Sequence, residues 1–385
     1  MCPQSPPRRR ARGLARATVG VLVGSALLAG CVTPSQEQAP TPQATRLRAE
    51  PLVIAHRGAS GYLPEHTLAA YTLGAKLGAD VIEPDLVPTK DHVLVVRHEN
   101  FFGDSTDVAD HPEFADRRTT KVVDGVAVTD WFTEDFTLAE LRTLRAREPK
   151  PELRPESAAH DGEYLVPTFE EVLDLREKLT KDLGRTITIA PEIKHSTYFA
   201  ALGLPLEPWV LKALRARRLD RDGTPVVLQS MELTNLRVLA REGLTVPLVF
   251  LTKRKGSPYD LVAARDPRTW QDLLTTKGLR GLKADGIDVL GPDKVQVISR
   301  QDDDDLGRPT RLVSDAHAAG LQVMPYTFCA QNQCLPADYR RGEGAASVGD
   351  ATGELLAFLR AGVDGVFTDE PDLGVAARAE LLGAG

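Results

Sequence analysis

The chain is predicted to fold as an α/β protein of the (β/α)8-barrel class, with one large insertion in a strand-to-helix loop. Continuous Val/Ile/Leu runs, of the kind buried on both sheet faces, alternate with helical patterns about eight times. Several helical patterns end in Gly just before the next run, as helix C-termini commonly do. That alternation over this length fits a closed parallel barrel better than an open doubly wound sheet. The segment 101–167 breaks the rhythm with acidic and turn-forming residues, which places it as the insertion on the barrel face where active sites sit.

In chain order, residues 1–31 come first: a basic cluster at Arg8–Arg10, a short apolar stretch, and small residues before Cys31. This is the layout of an export signal, too short to span a bilayer as a helix. Leu28-Ala29-Gly30-Cys31 resembles the bacterial lipobox, in which the cysteine becomes the lipidated first residue; an ordinary cleaved leader is the alternative. Residues 32–50 are rich in Pro, Gln and Thr and read as a flexible tether. Residues 51–385 form the barrel domain. Its strand candidates are "PLVIAH", "ADVIEPDLV", "HVLVVRH", "ITIAPEIK", "PVVLQS", "VPLVFLT", "GIDVLG", "LQVMPYTF" and "DGVFTD". Between them lie helical patterns such as "HTLAAYTLGAKLG", "TFEEVLDLREKLTKDLG" and "TGELLAFLRAGV". The formal charge of -7 argues against a nucleic-acid partner, because no basic excess offsets phosphate repulsion. Cys329 and Cys334 form a close pair for which a disulfide is plausible outside the cytoplasm.

The polar residues gather at strand ends. Glu83 and Asp85 are two apart, so both side chains leave the same strand face, and paired carboxylates repel unless a cation or proton separates them. "ITIAPEIK" repeats the device with Glu192 and Lys194. Three carboxylates without cysteine suit a hard divalent ion, Ca²⁺ first and Mg²⁺ as the alternative. His56 and His98 end two further apolar runs, "PLVIAH" and "VLVVRH".

"HRGASGYLPEHTLAAY", "GADVIEPDLVPTKDHVLVVRHE" and "APEIK" together resemble the glycerophosphodiester phosphodiesterase family, in its longer periplasmic and extracellular branch. The likeness continues in order through "DVADHPEF", "VPTFEEVLDL", "VVLQSMELTNL", "MPYTF" and "GVDGVFTDEPDLG". The resemblance implies a TIM barrel that uses a divalent metal to hydrolyse glycerophosphodiesters to glycerol 3-phosphate and an alcohol. It assigns His56 and His98 to general acid/base work, Glu83, Asp85 and Glu192 to the metal, and Arg57 and Lys194 to the phosphate. In similar enzymes the substrate's own glycerol hydroxyl attacks first, giving a cyclic phosphate that water then opens. His56 is favoured as base and His98 as acid.

Two departures stand out. His98-Glu99-Asn100 keeps a carboxylate where relatives often have Asp. Cys329-Ala330-Gln331 replaces an Arg and an acid, at a loop expected at the active-site mouth. His66 is expected to cap or pack the first helix beside Glu65 and Thr67, and His195 to stand behind the site; His92 and His111 read as loop residues. Asp302–Asp305 lack EF-hand spacing and read as a solvated turn. The expected substrate is a small glycerophosphodiester or an envelope polymer of glycerol phosphate, with membrane contact only through the lipid on Cys31. A related barrel phospholipase that stops at a cyclic phosphate, and a lipid-anchored binding protein, are the alternatives.

Overall fold

The computed structural model describes residues 50–383. The export signal, Cys31 and nearly all of the expected tether lie outside the described residues.

The described chain is a TIM barrel. Its strands are β1 (Leu52–His56), β2 (Val81–Glu83, continuing past Pro84 as Asp85–Pro88), β3 (Thr188–Ile189, continuing as Glu192–Ile193), β4 (Leu228–Ser230), β5 (Leu248–Thr252), β6 (Val289–Pro292), β7 (Gln322–Val323) and β8 (Gly365–Thr368). Neighbours pair in parallel from β8 through β1 to β7, with rungs such as His56↔Glu83, Asp85↔Glu192 and Glu192↔Gln229. The ring closes between β7 and β8, where Asp364 N donates to Val323 O at 2.7 Å and Phe367 N to Pro325 O at 3.1 Å. The principal helices packed outside are α1 (Leu68–Lys76), α2 (Phe169–Leu183), α3 (Glu207–Ala216), α4 (Leu233–Arg241), α5 (Thr276–Ala284), α6 (Leu312–Ala318), α7 (Ala351–Arg360) and α8 (Pro371–Leu381).

Local chemistry sets the ends of these helices. Thr168 and Glu171 form a reciprocal capping box at the start of α2, and Gly184 ends it in the left-handed region at φ 62°. Thr67 caps α1 through the Ala70 amide, as expected, whereas Glu65 instead pairs with Arg57.

Two apolar layers hold the barrel. Leu52, Ile54, Val81, Ala190, Val227, Val249, Leu251, Val289, Met324 and Phe367 fill the lumen, while a larger cluster lies between strands and helices. Side chains alternate along a strand, so the inward parity that fills the lumen continues upward through His56, Glu83, Asp85, Glu192 and Gln229. The strands therefore deliver apolar side chains to the floor and ionisable ones to the C-terminal mouth.

One predicted strand is not part of the barrel. Within "HVLVVRH", Leu94–Val96 turns back antiparallel onto β2, with Leu86 opposite Val96 and Val87 opposite Val95. A tight turn at Thr89–His92, where Thr89 N donates to Val93 O, makes it a hairpin partner. The insertion follows as expected, between β2 and α2, but is more ordered than its composition suggests. Phe102, Phe114, Phe132 and Phe136 are buried in it, and Phe102 and Phe114 meet Phe136 edge-on at 5.1 and 5.0 Å. A hairpin, Thr119–Val123 with Val126–Asp130, extends from that nucleus. Asp302–Asp305 form the expected turn, between the antiparallel segments Ile298–Arg300 and Leu306–Pro309.

The "HRG" turn after β1 requires its glycine. Gly58 has φ 92°, and a Cβ there would lie 2.6 Å from the Ala70 carbonyl carbon, in the backbone of α1. Gly58→Ala is expected to cost roughly 2–4 kcal/mol, strain and clash together. Urea unfolding measures this, and a loss under about 1 kcal/mol would contradict it.

Candidate active site

Glu83, Asp85 and Glu192 converge at the top of the lumen, each offering an oxygen within 4.8 Å of the others, and all three are buried. Glu83 accepts from the Arg57 amide at 2.9 Å and from Gln229 Nε2 at 2.7 Å. Asp85 Oδ2 lies 3.0 Å from His66 Nε2, while its buried Oδ1 has no hydrogen-bond partner among the described residues. Burial, then the neighbouring Asp85 and Glu192 charges, pushes the Glu83 carboxyl well above its ordinary range. Glu192 is pushed up to about 7, first by burial and against the pull of Lys194. Buried carboxylates forced together with an orphaned oxygen form a donor set that fits a divalent cation.

His66 packs against α1 as expected, and it also supports this cluster. It is fully buried, and burial holds its imidazole well below the ordinary value, so it is neutral. Its Nε2–H then donates to Asp85, and Nδ1 accepts from the Tyr71 hydroxyl at 2.7 Å.

The two histidines stand on opposite supports. His56 Nδ1 lies 2.6 Å from Asp369 Oδ1. Burial opposes the Asp369 charge, but Arg154 and His56 outweigh it and hold the carboxyl far below its usual range, so Asp369 accepts and His56 Nδ1 carries the proton. His98 Nδ1 lies 3.2 Å from Glu99 Oε1. Burial in the cleft, followed by the Arg57 and Lys194 charges, holds the His98 imidazole well below its ordinary value.

Arg57 donates from Nη1 to Glu65 at 2.7 Å, and its buried Nε, 3.8 Å from Asp85 Oδ2, has no hydrogen-bond partner among the described residues. Burial opposes its charge, yet Glu65, Asp85 and Glu83 hold it protonated. Lys194 Nζ lies 3.2 Å from Glu192 and is likewise held cationic despite burial.

Two cavities meet here. A small one of about 80 Å³ is lined by the three carboxylates, Lys194 and Gln229. A larger one of about 370 Å³ opens above it, walled by Glu99, Phe101, Lys150, Arg154 and Asp369. His56, Arg57 and His98 line both, so they form the neck between a charged floor and a roomier mouth. Cys329 and Cys334 are disulfide-bonded, with Cα atoms 5.8 Å apart, and border the upper cavity.

All seven residues singled out in the sequence thus meet in one place. Several of their partners went unread. Asp369 had a usable signal, since it continues the inward parity of Phe367 at the end of β8. Gln229 continues that of Val227. Arg154 had none: it comes from the insertion and donates to Ser60 O and to Asp369.

The profile of the glycerophosphoryl diester phosphodiesterase family matches residues 56–373, from the neck histidine to α8. The chain belongs to this family. A glycerophosphodiester phosphodiesterase of Arabidopsis thaliana is 32% identical over 368 residues, covering 91% of this chain and 93% of the relative. One from Haemophilus influenzae is 28% identical over 380 residues, covering 92% and 96%. Among solved structures, an Oleispira antarctica phosphodiesterase in complex with the product sn-glycerol-3-phosphate aligns with a TM-score of 0.52 at 20% identity, covering 85% of this chain and 96% of that one. Membership makes the chain an enzyme, and the structural likeness supports the barrel.

Proposed function

We propose that this enzyme hydrolyses glycerophosphodiesters to sn-glycerol 3-phosphate and an alcohol, with the phosphate held at the neck. The observation that carries this reading is the neck itself: two imidazoles and a guanidinium stand between a floor of three carboxylates and a mouth wide enough for a leaving alcohol. The product named in the Oleispira antarctica complex supports the same reaction.

Glu83, Asp85 and Glu192 would hold the divalent ion, Ca²⁺ before Mg²⁺, because the donors are all carboxylate oxygens. When bound, such an ion neutralises phosphate charge. Arg57, whose Nε makes no hydrogen bond among the described residues and lies 3.8 Å from Asp85 Oδ2, offers its guanidinium to a phosphate oxygen, and Lys194 adds a second positive charge. His56, its Nδ1–H tied to Asp369, presents Nε2 as the base toward the attacking oxygen. In the first step that oxygen is the substrate's glycerol hydroxyl, and His98 gives a proton to the leaving alcohol. When water then opens the cyclic phosphate the roles reverse: the deprotonated His98 takes the water's proton and His56 returns its own to the glycerol oxygen. Burial, and after it the Arg57 and Lys194 charges, hold the His98 imidazole low, and a bound phosphodiester anion offsets the part due to those charges, moving the imidazole toward the range of a working acid.

The deciding measurement is product analysis with glycerophosphocholine, glycerophosphoethanolamine, glycerophosphoglycerol and a glycerol phosphate polymer, after chelation and re-addition of Ca²⁺ or Mg²⁺. Release of sn-glycerol 3-phosphate from at least one substrate is expected. None from any of the four, with either ion, would end this reading.

The resemblance of Leu28-Ala29-Gly30-Cys31 to a lipobox supports a position on the outer face of the cell membrane, with residues 32–50 as the tether. A radiolabelled fatty acid is expected to mark the wild-type protein in cells and not Cys31→Ser. An unlabelled wild-type protein recovered from the medium would show secretion without an anchor.

A further inference from the structure

The insertion does more than wall the upper cavity. At the tip of its hairpin, between Val123 and Val126, Asp124 has φ 47° and turns toward the barrel. Its Oδ2 lies 2.7 Å from Nδ1 of His195, which sits just past the end of β3. The other ring nitrogen of His195, Nε2, lies 2.8 Å from Glu99 Oε2. The second oxygen of Glu99, Oε1, lies 3.2 Å from His98 Nδ1. A single chain of contacts therefore runs from the hairpin to the neck histidine.

We propose that Asp124 and His195 are positioning residues that fix Glu99, and through it orient His98 for proton transfer. The inference rests on the assignment of His98 to acid/base work above.

Three features support it. His195 and Glu99 are each bridged on both sides by a group of complementary hydrogen-bonding character, in the order carboxylate, imidazole, carboxylate, imidazole. Both oxygens of Glu99 are engaged at once, Oε2 by His195 and Oε1 by His98, which pins a side chain that would otherwise turn in the cavity wall. His195 itself is held at φ 48°, in the left-handed region that non-glycine residues rarely occupy, and the Asp124 and Glu99 contacts hold its ring at that strained position. A histidine kept only to start the following helix has no need of the strain: its side chain makes no capping hydrogen bond there.

The relay also gives the insertion a role in chemistry. His195 and Glu99 are 96 apart in sequence and His195 and Asp124 are 71 apart, so the folded hairpin is what completes the chain.

A double-mutant cycle tests this, on the metal-loaded full-length enzyme with glycerophosphocholine. His195→Gln is expected to lower kcat roughly 10- to 100-fold, the scale for losing a residue that orients a working group, with KM changed less than about two-fold. In the His98→Ala background the same substitution is expected to cost less than about two-fold, because the group it orients is gone. Asp124→Asn, at the hairpin tip and outside the barrel, repeats the comparison should His195→Gln fail to fold. An equal fold-loss in both backgrounds, or no loss in either single variant, would overturn the relay while leaving the proposed reaction standing. Full activity in His98→Ala alone would instead remove the assignment on which both depend.

Discussion

Alanine at Glu83, Asp85 or Glu192 is expected to abolish metal-dependent turnover and stoichiometric metal binding while leaving the barrel folded. Each carboxylate is buried beside the other two, so without a cation the cluster destabilises the fold, and removing one member relieves repulsion. The pH dependence follows with a definite sign. Glu192 titrates at about 7 in the folded chain, against about 4.3 when unfolded. The folded state therefore binds more protons in that window, and the metal-free protein loses stability as pH rises from about 4.3 toward about 7. A cation competes with those protons, so the rise in Tm on adding Ca²⁺ is expected to be larger at pH 8 than at pH 5 by scanning calorimetry. A Glu83→Ala protein that binds one ion and turns over normally, or a Ca²⁺ effect independent of pH, would show that the ion is held elsewhere.

His56→Ala and His98→Ala are each expected to lower kcat by roughly 10²- to 10⁴-fold on glycerophosphocholine. The two losses are expected to separate on a glycerophospho-nitrophenyl ester. Its leaving group needs little protonation, so the variant lacking the acid recovers much of its rate and the variant lacking the base does not. The proposed roles make His98 the acid, and recovery in His56→Ala instead would reverse them. Equal losses for both variants on both substrates would defeat the division of labour.

The barrel and most of its mouth were legible because both depend on short-range regularities. Apolar runs alternating with helices give the layers, and a period of two along each strand decides which residues face the lumen, so His56, Glu83, Asp85, Glu192 and Lys194 could be read together. The same regularity misled at "HVLVVRH". An apolar run looks alike whether it pairs parallel within a barrel or antiparallel in a hairpin, and only the turn and its partner strand choose between them. Composition likewise concealed the aromatic nucleus of the insertion, whose buried phenylalanines are spread among acidic and turn residues.

By itself, then, the sequence determined which side chains reach the mouth of the barrel and what chemistry they can supply, since side-chain alternation and residue type are local properties. Tertiary structure alone decided which groups hold them there. Asp369 meets His56 across 313 residues, Arg154 meets Asp369 across 215, and His195 meets Glu99 across 96. No local propensity spans such separations; those partners are chosen by the closure of β8 onto β1 and by the folding of the insertion over the mouth, which bring distant charges together where burial makes each contact matter.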